Sequence, residues 1–551
     1  MSQPHRTRSR TRRRAYALGA PLALALATST LLPAASATPA VTAGPGGGPH
    51  QGCEISTGAP LHEMRGTWIA SVANIDWPSR PGLSPEEAQA ELRDWYDSAV
   101  DDGLNSVFVQ VRPTADTFWP SELEPSSHWI TGEQGADFGG WDPMQFAVEE
   151  AHSRGLDFHA WFNPYRVSQT STDPATLSPE HPARLNPDWV LPYGGKLYYD
   201  PGVPAVREHT IAVMMEAVER YDIDGVHFDD YFYPYPVAGE EFPDDESFAR
   251  YGGDFEDRGD WRRDNINLLV EEFSEQIAEA KPEVSFGVSP FAVWRNAGTD
   301  PEGSDTTAGA QTYDDLYADT RLWVQEEWMD YVLPQVYWSI GFEPAAYEVL
   351  VPWWSETVEG TDVALWIGQA TYKVGTSTQS PEWADPQEMV RHLDLNEEYP
   401  QVTGDVWFSA KDVVANRLGH WDLLQEAHYD TPALPPALQA GAGDPVRAPH
   451  GISTRPTAEG TQVRWHQKGE DAGYAVYRVE GERTGPGKGK GKGRPVDPCD
   501  AVSADNLVAV LGTGATSWTD PEPSGKDVSY VVTTLADDNT QSQPSRPVRG
   551  R

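Results

Sequence analysis

Between residues 61 and 430 the chain alternates between two patterns of apolar and polar positions. Short, almost wholly apolar runs occur at 64–71, 105–113, 156–164, in the first half of 223–235, and at 284–291, 331–338, 364–372 and 405–412. Runs of this length and composition predict buried strands. Between them lie segments whose apolar residues recur at helical spacing. The first begins at Ser84-Pro85-Glu86-Glu87, which reads as an N-cap, a first-turn proline and a capping box; Ala88, Leu92, Trp95 and Ala99 then share one face. Later helices are predicted near 142–155, 206–221, 261–280, 314–327, 344–358, 385–397 and 413–428. Eight strand–helix pairs predict an α/β fold, a (β/α)8 TIM barrel with long loops after the strands; an open doubly wound sheet is the competing architecture.

The pattern changes after 430. Residues 431–449 are a Pro/Ala/Gly linker, and 450–551 carry short segments with period-two alternation at 460–467, 472–479, 507–512 and 528–535. These predict a small all-β sandwich with Trp465, Tyr477 and Tyr530 in its core. The Gly/Lys insert at 485–494 reads as a disordered loop.

Composition and charge narrow the function. With 551 residues the chain is long enough for two or three domains, and its 21 Trp and 22 Tyr favour stacking on sugars. A net charge of −43 argues against a nucleic-acid partner, because phosphate backbones are gripped by Lys and Arg. Six arginines between Arg6 and Arg14, an apolar stretch at 17–34 and small residues to Ala37 predict a cleavable export signal over 1–37, with a flexible lead-in over 38–60. No later run is long and apolar enough to span a membrane, so a secreted or cell-wall-associated protein is expected. The two cysteines, Cys53 and Cys499, are either bonded to each other or free thiols. The scattered His and Cys residues suggest neither a metal site nor a cofactor.

The polar residues cluster where the strands end, which is where a barrel of this kind carries its chemistry. Gln110 and Arg112 end the second run, Asn163 the third, Asp229 and Asp230 the fourth, Gln335 and Tyr337 the sixth, and Lys411 the eighth. Glycosidic hydrolysis uses two carboxyl groups, one donating a proton and one attacking or activating water. His227 and Asp229 stand two apart and so share a side of the strand, a spacing similar to that in amylase-type barrels. Asp229 is the expected nucleophile or base. Regular alternation would turn Asp230 away from it, unless the chain bends at the strand end. Asp116 is a third candidate acid and Asp76 a weaker one. Gln110, Arg112, Asn163, His227, Tyr231, Gln335, Tyr337 and Lys411 are candidate sugar contacts. The chitinase strand pattern D-G-x-D-x-D-x-E is excluded, because His227 and Tyr231 occupy its second Asp and its Glu. A catalytically silent glycan-binding barrel is the alternative from another class, and a metal-dependent deacetylase is a third.

Six ordered blocks, HEMRGTWIASVANIDWPS (62–79), FVQVRPTADTFWPS (108–121), FHAWFNPYR (158–166), DGVHFDDYFYPYP (224–236), DYVLPQVYW (330–338) and GQATYKVG (368–375), resemble the glycosyl hydrolase-like 10 family. The tail more weakly resembles a fibronectin type III domain. The family resemblance implies a (β/α)8 barrel and glycoside hydrolysis, in some members of bacterial cell-wall glycan, including peptidoglycan strands stripped of their peptides. It places the family's paired acids on Asp229 and Asp230 and its acid after the second strand on Asp116. Its Asn, Gln-x-Tyr and Lys positions fall on Asn163, Gln335, Tyr337 and Lys411.

Overall fold

Eight strands pair side by side, all parallel, and close on themselves: β1 (Met64–Ile69), β2 (Ser106–Arg112), β3 (Asp157–Phe162), β4 (Gly225–Phe228), β5 (Ser285–Val288), β6 (Tyr331–Val332), β7 (Ala364–Gln369) and β8 (Val402–Trp407), with β8 returning to β1. The computed structural model describes residues 53–550 apart from 440, 444–445, 467–471, 481–495 and 523–527. The expected export signal and the 485–494 insert lie outside the described residues. Helices cover the outside of the barrel, so the strands are buried on both faces and can be apolar throughout. The Ser84–Glu87 capping box forms as the sequence suggests and opens the helix Pro85–Asp101.

The barrel interior is filled with rings. His159, His227, Phe108, Tyr331 and Trp366 stack or meet edge-on at centroid separations of 4.2–6.4 Å. Two glycines make this possible. A Cβ at Gly225 would lie 2.2 Å from the His159 ring, and one at Gly287 would lie 2.2 Å from the Tyr331 ring. Desolvation holds His159 down to about 4 and His227 well below its ordinary range, so both rings are neutral packing groups at pH 7.

Three predicted elements differ. The sixth run, predicted as a strand over 331–338, pairs regularly only at Tyr331–Val332, because Pro334 has no N–H to continue the ladder. The last helix, predicted over 413–428, is two pieces, Ala410–Ala415 and His420–Ala427, parted by Asn416 and Gly419 with φ of +40° and +75°. The helix predicted over 314–327 is likewise split into Thr312–Asp315 and Thr320–Gln325. The long loop after β3 contains a small antiparallel sheet of Arg166–Ser168, Lys196–Tyr199 and Val190–Tyr193, turned at Gly194-Gly195. This sheet carries Arg166 to the mouth.

The C-terminal strands form two antiparallel sheets, one of three strands and one of four. Trp465, Tyr477 and Tyr530 are buried between or beside them. The domain sits under the floor of the barrel: Thr513 donates its N–H to His152 O at 2.9 Å, and Asn539 donates to Asp157 at 2.7 Å. Part of the stretch read as a linker belongs to this floor, since Leu434 is fully buried and pairs with Leu61 and Glu63. Cys53 and Cys499 are bonded, with Cα atoms 5.3 Å apart, which ties the start of the described chain to the C-terminal domain.

Candidate active site

A cleft of about 350 Å³ opens at the C-terminal ends of the strands. One side is set by the ends of β3 to β6: Trp161, Arg166, Asp229, Asp230, Tyr231, Ser289, Gln335 and Tyr337. The other comes from β1, β2, β7 and β8 and is largely apolar: Trp68, Ala70, Val72, Ala73, Ile75, Gln110, Tyr372 and Phe408. Among the described lining residues the only carboxyl groups are Asp229 and Asp230.

β4 ends at Phe228, so the alternation of the strand no longer governs the two acids. Both line the cleft, which resolves the expectation that Asp230 might turn away. Their surroundings differ. Asp229 is gripped by donors: Asn163 Nδ2 at 3.0 and 3.2 Å, Trp161 Nε1 at 3.1 Å and the Tyr231 N–H at 3.2 Å. Burial pushes its pKa up, while Arg166 and these donors work to keep it ionised. Asp230 has a Tyr235 hydroxyl and the Gln335 side chain as partners. Burial, and then the neighbouring Asp229 charge, raise it to about 6. Burial raises both carboxyl groups, but their surroundings set them apart: a fan of donors and Arg166 counter the rise at Asp229, while Asp230 is able to carry a proton to about pH 6.

Of the residues expected to touch sugar, Gln110, Tyr231, Gln335 and Tyr337 reach the cleft. Gln110 also accepts from the Ser71 and Val72 N–H groups, fixing the turn after β1. Asn163 stands behind the wall and positions Asp229. His227 lies below the cleft, between Trp68 Nε1 at 3.2 Å and Ser289 Oγ at 2.9 Å. Arg112 is fully buried in a two-pronged pair with Glu124, at 2.8 and 2.7 Å, and does not reach the cleft. Asp116 is also buried, bound to Thr114 and Gln134 outside the lining. Lys411 is exposed and reaches Ile75 O at 3.3 Å rather than the cleft. Asp76 uses both oxygens to join the turn after β1 to that after β8, through the Ala70 N–H and the Ser409 hydroxyl. Trp68, Trp161, Phe408 and Tyr372 could not be picked out from the sequence, because an aromatic residue on a buried strand reads equally as core. Among the described residues no three His, Cys, Asp or Glu are grouped to hold a metal ion.

The family described as Glycosyl hydrolase-like 10 matches residues 63–385, which span β1 to β7 and both acids. The chain belongs to this family. A relative named Glycosyl hydrolase YngK, from Bacillus subtilis (strain 168), is 49% identical over 428 residues, covering 76% of this chain and 84% of that one. Glycosyl hydrolase DigH from Escherichia coli (strain K12) is 41% identical over 365 residues, covering 63% and 82%. Among solved structures, an endo-1,4-beta-mannanase from Rhizomucor miehei aligns with a TM-score of 0.41 at 11% identity, over 68% of this chain and 99% of that one.

Proposed function

We propose that this glycoside hydrolase is exported and cleaves bacterial cell-wall glycan freed of its peptides. The observation that carries the reading is the Asp229–Asp230 pair, the only carboxyl groups among the described residues that line the cleft, set opposite a largely apolar, aromatic wall. Asp230, with its proton retained to about pH 6, is the general acid that protonates the leaving oxygen. Asp229, held by Asn163, Trp161 and the Tyr231 N–H, is the anionic partner that attacks C1 or activates water. Trp68, Tyr372, Tyr337 and Phe408 offer ring faces for sugars and for the methyl of an N-acetyl group. Export is supported by the basic and apolar segments of the first 37 residues. Among the described residues no helix is long and apolar enough to cross a membrane. The test is product analysis by mass spectrometry on purified peptide-free peptidoglycan strands. Shorter glycan products from the wild type, formed roughly 10²–10⁴ times more slowly by Asp230→Asn, support the reading; binding without products would favour the silent glycan-binding barrel.

A further inference from the structure

Four arginines are buried among the described residues: Arg65, Arg112, Arg166 and Arg262. Three are paired with a carboxylate, Arg65 with Glu63 at 2.6 Å, Arg112 with Glu124 at 2.7 Å and Arg262 with Asp244 at 2.6 Å. This is the usual requirement for a buried guanidinium. Arg166 is the exception. Only 3% exposed, it lines the cleft with its guanidinium 4.9 Å over the Tyr231 ring. Its Nε donates to Pro113 O at 3.2 Å and its backbone N–H to Asn163 Oδ1 at 2.9 Å. No carboxylate of the described residues lies within ion-pair distance of it, in a chain with 84 acids and 41 bases. Asp229 acts on it only from further away. Lys196, on a neighbouring strand of the small sheet, is a second basic group nearby; burial, and then the Arg166 charge, lower its pKa. A cationic corner has thus been built beside the acids, and no carboxylate of the described residues pairs with it.

We propose that Arg166 receives a carboxylate of the substrate, making it the residue that selects glycans with an acidic substituent next to the scissile bond. The inference rests on the glycan-cleavage reading above and deepens it. On a cell-wall strand the carboxylate is the lactyl group of muramic acid, which is free only once the peptide is gone; a uronic acid offers the same chemistry. A peptide-bearing strand has this group tied up as a neutral amide, so Arg166 also disfavours the intact polymer. The pairing is planar and two-pronged, which suits arginine better than lysine.

The test measures binding by calorimetry, with the full chain carrying Asp230→Asn so that the ligand survives. Three probes are used: a peptide-free cell-wall tetrasaccharide, the same compound with its carboxyl groups reduced to alcohols, and an oligosaccharide alternating N-acetylglucosamine with glucuronic acid. The parent should bind the first roughly 10–100-fold more tightly than the second, the range of one or two hydrogen bonds between charged groups. Adding Arg166→Gln should erase that preference, bringing the two compounds to within about two-fold of each other, and Arg166→Lys should keep part of it. Comparison of the first and third probes tells the lactyl from the uronic source. The proposal is overturned if the parent shows no preference for the carboxylate, which needs no Arg166 variant to fold. It is overturned equally if Arg166→Gln weakens both compounds alike, since Arg166 would then act only through Asp229. A parent that prefers the carboxylate while the wild type cleaves neither compound would sink the cell-wall cleavage reading and leave the Arg166 assignment standing.

Discussion

At the mouth of the barrel Asp229 and Asp230 are buried yet face a cleft of about 350 Å³; at the floor Asp157 and Asp224 are half-buried beside spaces of only about 20 and 60 Å³. Both ends hold carboxyl groups at least partly out of water, but their partners differ. At the floor, Asp224 accepts from His152 at 2.8 Å and from the Phe158 N–H at 2.6 Å, and Asp157 accepts from Asn539 of the sandwich domain. Burial opposes a charge on His152, but Asp224, Asp222 and Asp157 outweigh it and raise the ring to about 9. At the mouth, the acids have donors but, among the described residues, no cation within ion-pair distance. A buried acid whose counter-charge is supplied by the protein holds the fold together. One whose field is left open to a cleft is available to a substrate.

The largest test of this contrast is to neutralise each end. Asp229→Asn and Asp230→Asn should each lower kcat/KM on glycan by roughly 10²–10⁴ with a melting temperature no lower than wild type, because each removes a buried charge. If either variant cleaves as well as wild type, that acid is not part of the chemistry. Next in size, reducing the Cys53–Cys499 bond should cost about 2–4 kcal/mol of stability in a denaturant titration. Turnover at 25 °C should stay within a few fold, since the bond lies away from the mouth. Asp224→Asn should destabilise by about 1.5–3 kcal/mol, as expected for a lost hydrogen bond between charged groups, and leave kcat/KM nearly untouched. A large loss of activity there would erase the distinction between the two ends.

Much of this contrast is legible in the chain itself. The eight apolar runs predict the barrel, because strands buried on both faces leave no alternation to misread. The double acid stands out because two charges at the end of such a run have few structural uses. What escapes is three-dimensional. Arg112 and Arg166 look alike in sequence, each at or just past the end of a strand; only the fold brings Glu124 to the first and leaves the second facing the cleft. Asp116 and Asn163 differ in the same way, since which side chain is turned inward depends on the loops after β2 and β3. The small sheet at 166–199 is hidden because its strands are three or four residues long and one contains Pro192.

The pH dependence separates the two ends by the smallest but cleanest effect. Activity should fall as pH rises through about 6, as Asp230 loses the proton it must donate. Stability should respond elsewhere. His152 has a folded value raised to about 9 from 6.5, so its contribution is complete below about 6.5 and is lost as pH rises through about 9. Melting temperature should therefore drop between pH 7 and 10, and drop less in His152→Asn.

The most direct measurement is the pH profile of kcat/KM for cleavage of peptide-free peptidoglycan strands, read by mass spectrometry of the products, for wild type and Asp230→Asn. The account predicts a wild-type profile that declines above about pH 6 and a variant whose residual rate shows no such decline. Wild-type-like cleavage by Asp230→Asn with the same alkaline limb would contradict it.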